Sequence, residues 1–266
     1  MSAALPVWID GELHPRERPA LRADDSAFLE GRGCYTTARV VAGRPRWPER
    51  HARRLRRDAR TLGLGEVDEQ GVQRALQEIA EAIFPDGDGV VRLEVSCDGD
   101  GRLHLVGVPR TLGEEPDLWT AVVSMVRHPG PMPWGGAKVT SHLYAATGRR
   151  EADDAGADEA LLFDRADLLV EGTRSNLLFV AGDGRPRAAS LSRGGVAGLG
   201  LEVLRERLPE LGDGDLGRHD LFDVSELIAL NSIRGAHALV RVDRREIGNG
   251  CAGPWARRIA DLLSAD

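Results

Sequence analysis

The chain has 266 residues, of which 42% are hydrophobic and 29% charged, with a formal net charge of -7. This length suits one large or two modest domains of a globular protein. The acidic balance excludes the basic surface that a nucleic-acid binder needs. No apolar run approaches the ~20 residues of a membrane span. The opening MSAALPVWIDGEL carries neither a charged nor an apolar leader segment, so a cytoplasmic chain is expected. Cys34, Cys97 and Cys251 are widely spaced and the seven histidines are scattered. Neither a disulfide framework nor a metal site is expected from them.

In chain order, VWIDGEL predicts a strand entering a DG turn, and Cys34–Val41 predicts a β-rich run closed by an AGRP turn. Residues 49–62 predict a basic helix ended by Gly63. Residues 68–84 predict a second helix with Val72, Leu76, Ile79 and Ile83 on one face. VVRLEVS and RLHLVGV predict two strands joined by CDGDG, and the polar stretch 109–117 predicts a linker. The second half restarts with a strand, LWTAVVSMV, and a Pro/Gly-rich loop that delivers Lys138. It continues with a helix over 141–155 and strands in EALLFD, LLVEG and NLLFVAG. A Gly-rich turn then leads into a helix (RGGVAGLGLEVLRERL), followed by a strand in ELIALN, a hairpin in ALVRVDRREIG and a C-terminal helix. The mixture predicts an α/β or α+β protein with a small N-terminal α/β domain over 1–112 and a larger domain with a mixed sheet over 118–266.

Of the 35 basic residues, Lys138 is the only lysine. Arginine serves as well for surface charge, ion pairs and phosphate clamps, but it cannot lose its proton. A chain that keeps one ammonium among arginines points to a job for a neutral amine: Schiff-base formation with a carbonyl, or proton transfer. GGAKVT is not a phosphate-binding GxxxxGK[ST] loop. The chain is too long to be only a biotin or lipoyl carrier, and its elements do not form eight strand–helix repeats. A pyridoxal phosphate enzyme remains. Such a site needs an anion pocket and a partner for the pyridine nitrogen. Arg54 could grip phosphate bidentately, the N–H groups after Gly198 at Leu199 and Gly200 could bind a phosphate oxygen at a helix start, and Ser232 could add a hydroxyl. Glu171, ending a strand, could face the ring nitrogen.

These residues occur in an order that resembles the class IV aminotransferase family, the fold type IV pyridoxal phosphate enzymes, over nearly the whole chain. The resemblance rests on GRGCYTTARV (31–40), HARRL (51–55), GAKVTSHL (136–143), ADEALLFD with VEGTRSNLLFV (157–180), GVAGLGLEVL (195–204) and ELIALNSIRG (226–235). Within the family it is nearest the 4-amino-4-deoxychorismate lyase branch. The resemblance implies a homodimer acting on a small molecule, with Lys138 as the Schiff-base lysine, Glu171 at the ring nitrogen, and Arg54, Leu199, Gly200 and Ser232 on the phosphate. It implies a lyase releasing 4-aminobenzoate and pyruvate, with a branched-chain or D-amino acid aminotransferase as the alternative. A non-catalytic binding protein on the same fold is a second alternative, against which the single lysine argues. Tyr35, Thr37, Arg102 and Arg174 are the pocket candidates. Departures are Ser141 where these lyases usually carry Asn, Cys97 where many carry Arg, and Arg32 where the family commonly has an acidic residue.

Overall fold

The computed structural model describes residues 5–264. The chain divides into two compact units, one running to Glu114 and taking in Ala137–Ser141, the other comprising Glu115–Gly136 and the chain from His142 onward.

The first unit is a six-stranded antiparallel sheet with one short helix and two longer ones. β1 (Val7–Ile9) and β2 (Glu12–His14) turn at Asp10-Gly11, both with positive φ. A short helix, α1 (Ser26–Glu30), is capped by the Asp25 carboxylate, which accepts the Ala27 N–H. Next come β3 (Cys34–Val41), β4 (Arg44–Pro45), α2 (Pro48–Thr61), α3 (Glu69–Ile83), β5 (Gly89–Cys97) and β6 (Leu103–Arg110). The sheet order is β2-β1-β6-β5-β3-β4.

Strand side chains alternate between faces. Cys34, Ala38 and Val40 of β3, with Val91, Leu93 and Val95 of β5, pack against Leu55 and Ala59 of α2 and Leu76 and Ile79 of α3. Each such fully buried Leu or Ile contributes about 1.5–3 kcal/mol. The same alternation puts Tyr35 and Thr37 on the opposite face, where Thr37 pairs in register with Arg92 and Tyr35 with Glu94. α2 starts with Pro48 at its first turn and ends ahead of Gly63 at φ 64°, a backbone conformation that glycine adopts without a Cβ penalty.

The second unit contains β7 (Leu118–Val123), α4 (Leu143–Asp154), β8 (Glu159–Phe163), β9 (Leu169–Gly172), β10 (Asn176–Val180), β11 (Pro186–Ala189), α5 (Leu199–Arg207), β12 (Gly212–Gly214), β13 (Glu226–Asn231), β14 (Gly235–Val242), β15 (Arg245–Glu246) and α6 (Pro254–Ser264). Its sheet runs β12-β11-β10-β13-β14-β7-β8-β9, with β15 paired to β14. It is mixed: β7 is parallel to both β8 and β14, and β11 to β12, while the other pairs are antiparallel. β8 and β10 are buried along their whole length, which is why EALLF and NLLFV read as continuous runs rather than alternations.

The fold is thus a mixed α/β one. The expected 118–266 domain held Lys138, whereas its segment groups with the first unit. The reason is pairing: the Tyr35 N–H donates to the Lys138 carbonyl (2.9 Å), the Thr140 N–H donates to the Gly33 carbonyl (2.9 Å), and Val139 bridges Cys34. Lys138 is therefore held beside the start of β3 by a single β-bridge and its flanking hydrogen bonds.

Candidate active site

In the first unit the site residues come from one helix face and one strand. The run HARRLRRDA winds so that His51, Arg54, Leu55 and Asp58 face inward while Arg53 and Arg57 are exposed, the three- and four-residue spacing of a helix stripe. Arg54 is only 4% exposed, so a guanidinium sits where the pattern would otherwise put a hydrophobe. One turn earlier, His51 Nδ1 shares a 2.5 Å hydrogen bond with the buried Thr36 hydroxyl. Burial, with the charge of Arg54 adding to it, pushes the His51 imidazole down to about 3. One turn later, Asp58 is fully buried; it accepts the Lys138 backbone N–H at 2.9 Å on one oxygen and the exposed Arg57 side chain at 2.8 Å on the other. The Lys138 amine lies 4.7 Å from the centre of the Tyr35 ring, over which the Arg92 guanidinium also stacks at 3.5 Å.

In the second unit Glu171 ends β9, 5% exposed. One of its oxygens accepts the Val196 N–H at 2.8 Å; the other faces the Tyr144 hydroxyl at 3.3 Å and His128 Nε2 at 3.4 Å. The turn after it is built on Glu159, a fully buried carboxylate that takes the Thr173 N–H (2.8 Å), the Thr173 hydroxyl and the Ser175 hydroxyl (2.6 Å). A Cβ at Gly172 would stand 2.7 Å from that carboxyl group, so glycine is required at 172.

Asn176 donates to the Val196 carbonyl at 2.8 Å and packs so tightly on Gly198 that a Cβ there would sit 1.9 Å from its Oδ1. α5 then begins at Leu199 with no side-chain cap, leaving its first N–H groups without intrahelical acceptors. Gly200 approaches the Asn231 carbonyl closely, a Cβ there coming within 3.3 Å. Asn231 Oδ1 in turn shapes the turn carrying Ser232 by accepting the Ile233 and Arg234 N–H groups at 2.9 and 2.8 Å. Leu199, Gly200 and Ser232 are thereby brought together.

The pocket candidates divide. Tyr35 and Thr37 share a sheet face with Arg92, which no motif in the sequence marks and whose guanidinium pairs with Glu94. Arg102 is exposed in the β5–β6 loop, its N–H held by Asp98 at 2.9 Å. Cys97 is buried against Ser26, whose hydroxyl accepts its N–H at 3.1 Å. Arg174 is committed elsewhere: its guanidinium donates to the Asp158 carbonyl (2.9 Å), pairs with Glu115 (3.4 Å) and lies 5.0 Å from the Trp119 ring centre. Asp58 was also missed, though a carboxylate four residues after Arg54 in the inward stripe is a visible signal. Arg92 had none, because its place beside Thr37 depends on strand register.

A family model described as amino-transferase class IV matches residues 33–242. The bifunctional aminodeoxychorismate lyase / D-amino acid transaminase of Mycobacterium tuberculosis is 26% identical, with 97% of each chain covered. The crystal structure of 4-amino-4-deoxychorismate lyase from Pseudomonas aeruginosa superposes with a TM-score of 0.85 at 27% identity, covering 98% of both chains. A hypothetical aminotransferase from M. tuberculosis, solved in a pyridoxal-phosphate-bound form, gives a TM-score of 0.84 at 24% identity over 98% of both chains.

The buried His51 yields a signed pH prediction. Its folded value lies below the ordinary 6.5, so the unfolded chain binds the proton first. The stability this ring contributes is complete above about pH 6.5 and is lost as pH falls towards 3. Imidazole NMR should show His51 neutral at pH 5, and urea unfolding should show a loss of stability between pH 6.5 and 4.5 that His51→Gln flattens. A His51 resonance titrating near 6.5 contradicts this.

Proposed function

Because the chain belongs to the class IV aminotransferase family, we propose that it is a pyridoxal-phosphate-dependent lyase. It converts 4-amino-4-deoxychorismate to 4-aminobenzoate and pyruvate for folate synthesis, as a cytoplasmic homodimer. The observation that carries the reading is the only lysine of the chain, its backbone fixed on both sides by Asp58 and Tyr35 and its amine over an aromatic ring that a second cation also faces. The lyase assignment draws its support from the 27% identical Pseudomonas enzyme and the bifunctional relative.

The residues present suit the cofactor. A buried arginine, an uncapped helix start preceded by a glycine that admits no Cβ, and a buried carboxylate offered only donors match a phosphate and a protonated ring nitrogen. Arg54, Leu199, Gly200 and Ser232 would hold the phosphate, Glu171 the ring nitrogen and Lys138 the aldehyde carbon. When bound, pyridoxal phosphate supplies an electron sink for the carbon that carries the substrate amine. Lys138 Nζ removes the proton from that carbon, and its backbone anchors limit the directions from which it can do so. Glu171 would offer its carboxylate to the ring nitrogen. Tyr35 and Thr37 line the face on which the substrate lies. Arg92, stacked on Tyr35, would take a carboxylate only by sharing or leaving Glu94, with which its guanidinium pairs. Arg102 is the second cation for a substrate with two carboxylates; Arg174 would first have to leave Glu115.

An aminotransferase acting on D-amino or branched-chain amino acids is the second reading. The bifunctional relative favours it, as do relatives named as branched-chain aminotransferases. Proton removal by Lys138 begins both reactions; a leaving group beside the reacting carbon separates them.

Two results test the proposal. Arg54→Ala should weaken cofactor binding at least about tenfold, as expected for a charge-assisted contact of about 1.5–3 kcal/mol, while Arg53→Ala and Arg57→Ala change it far less; equal losses from all three would remove Arg54 from the site. With 4-amino-4-deoxychorismate alone, the enzyme should release 4-aminobenzoate and pyruvate in equal amounts. No 4-aminobenzoate, together with a half-turnover on a simple amino acid that resumes only when a keto acid is added, would favour the aminotransferase.

A further inference from the structure

His128 has no part in the chemistry assigned above, yet it is 2% exposed and its ring points at Glu171. Its tautomer is fixed by its surroundings. The Gly130 N–H donates to His128 Nδ1 at 3.0 Å, so Nδ1 carries a lone pair and the single ring proton sits on Nε2. A second proton on the ring would set two N–H groups against each other. Nε2 meets no hydrogen-bond acceptor at good geometry among the described residues; the carboxylate oxygen nearest to it is Glu171 Oε1 at 3.4 Å. Tyr144, from the first turn of α4, stands edge-on to the imidazole with ring centres 4.9 Å apart, and its hydroxyl reaches the same oxygen at 3.3 Å. A buried imidazole that only had to fill space would be better replaced by an apolar ring or chain, since its N–H must leave water.

We propose that His128 and Tyr144 are positioning residues for Glu171: the Nε2–H of a locked histidine tautomer and the Tyr144 hydroxyl converge on Oε1 while the Val196 N–H holds Oε2. The carboxylate is fixed in rotation and surrounded by donors, so it serves the ring nitrogen as an acceptor. This inference rests on the reading of Glu171 as the ring-nitrogen partner. His128 acts through Glu171 and touches no reacting atom. The Pro129-Gly130 step after β7 is part of the device, because the amide of Gly130 sets the tautomer. Gly130 has φ 88°, a conformation that suits glycine and turns its N–H back onto the ring.

The test uses holoenzyme loaded with pyridoxal phosphate labelled with nitrogen-15 at the ring nitrogen. The wild-type shift should be that of a protonated pyridine, and Glu171→Gln should move it to the unprotonated value. His128→Leu combined with Tyr144→Phe, with Glu171 intact, should move it at least half as far and weaken cofactor binding severalfold; His128→Gln, which returns an N–H near the Nε2 position, should recover most of the shift. If Glu171→Gln leaves the ring nitrogen protonated, the premise about Glu171 fails. If Glu171→Gln loses the proton but the double variant keeps the wild-type shift, Glu171 stands and the role given to His128 and Tyr144 is overturned. Should the double variant not fold, Tyr144→Phe alone and the nitrogen-15 spectrum of the wild-type histidines decide: a His128 proton on Nδ1, or a Tyr144→Phe shift identical to wild type, overturns the proposal.

Discussion

Two backbone hydrogen bonds, one to each side of the Lys138 side chain, are the constraint on which the first unit's chemistry depends. The Lys138 N–H ends on the buried Asp58 carboxylate and its carbonyl takes the Tyr35 N–H. Asp58 lies on α2 four residues beyond Arg54, so the turn that points the Arg54 guanidinium inward also points the lysine's anchor inward. Tyr35 opens β3, and its ring is the surface the amine approaches. A buried carboxylate is costly without donors; here the Lys138 amide and the Arg57 side chain provide them. The lysine is thereby placed by its main chain, with its amine 4.7 Å from the centre of the Tyr35 ring.

The second unit solves a different problem: holding Glu171 and the start of α5 in fixed relation through side-chain-to-backbone hydrogen bonds. Glu159 gathers the donors of Thr173 and Ser175 and shapes the turn between Glu171 and Asn176. Asn176 then grips the Val196 carbonyl and closes on Gly198, while the Val196 N–H returns to Glu171. A single loop, 195–198, is therefore fastened to Glu171 at one end and opens α5 at the other. The glycines at 172 and 198 are demanded by proximity, not by flexibility.

Much of this was legible in the sequence. The alternation in Cys34–Val41, the stripe through α3 and the Gly63 stop match the observed elements closely, because each depends on neighbours within a few residues. The inward Arg54 agrees with the order of the family's motifs. Long-range pairing was not legible. Nothing local says that residues 138–140 pair beside β3, that Arg92 falls beside Thr37, or that Gly212–Gly214 lies parallel to β11. The short α1 was missed because five residues carry too little periodicity, although Asp25 ahead of it is an ordinary helix cap. Arg174 looked available in sequence and is engaged by Glu115 and the Asp158 carbonyl in space. The histidine at 128 gave no motif at all; its interest comes only from facing Glu171.

The proposed chemistry turns on the amine of one residue. Borohydride reduction of the holoenzyme followed by peptide mapping measures this directly, and it should place the pyridoxyl group on the peptide containing Lys138, with Lys138→Arg losing both the covalent link and nearly all activity. Label found only on the chain's terminal amine, or a fully active Lys138→Arg enzyme, would contradict it.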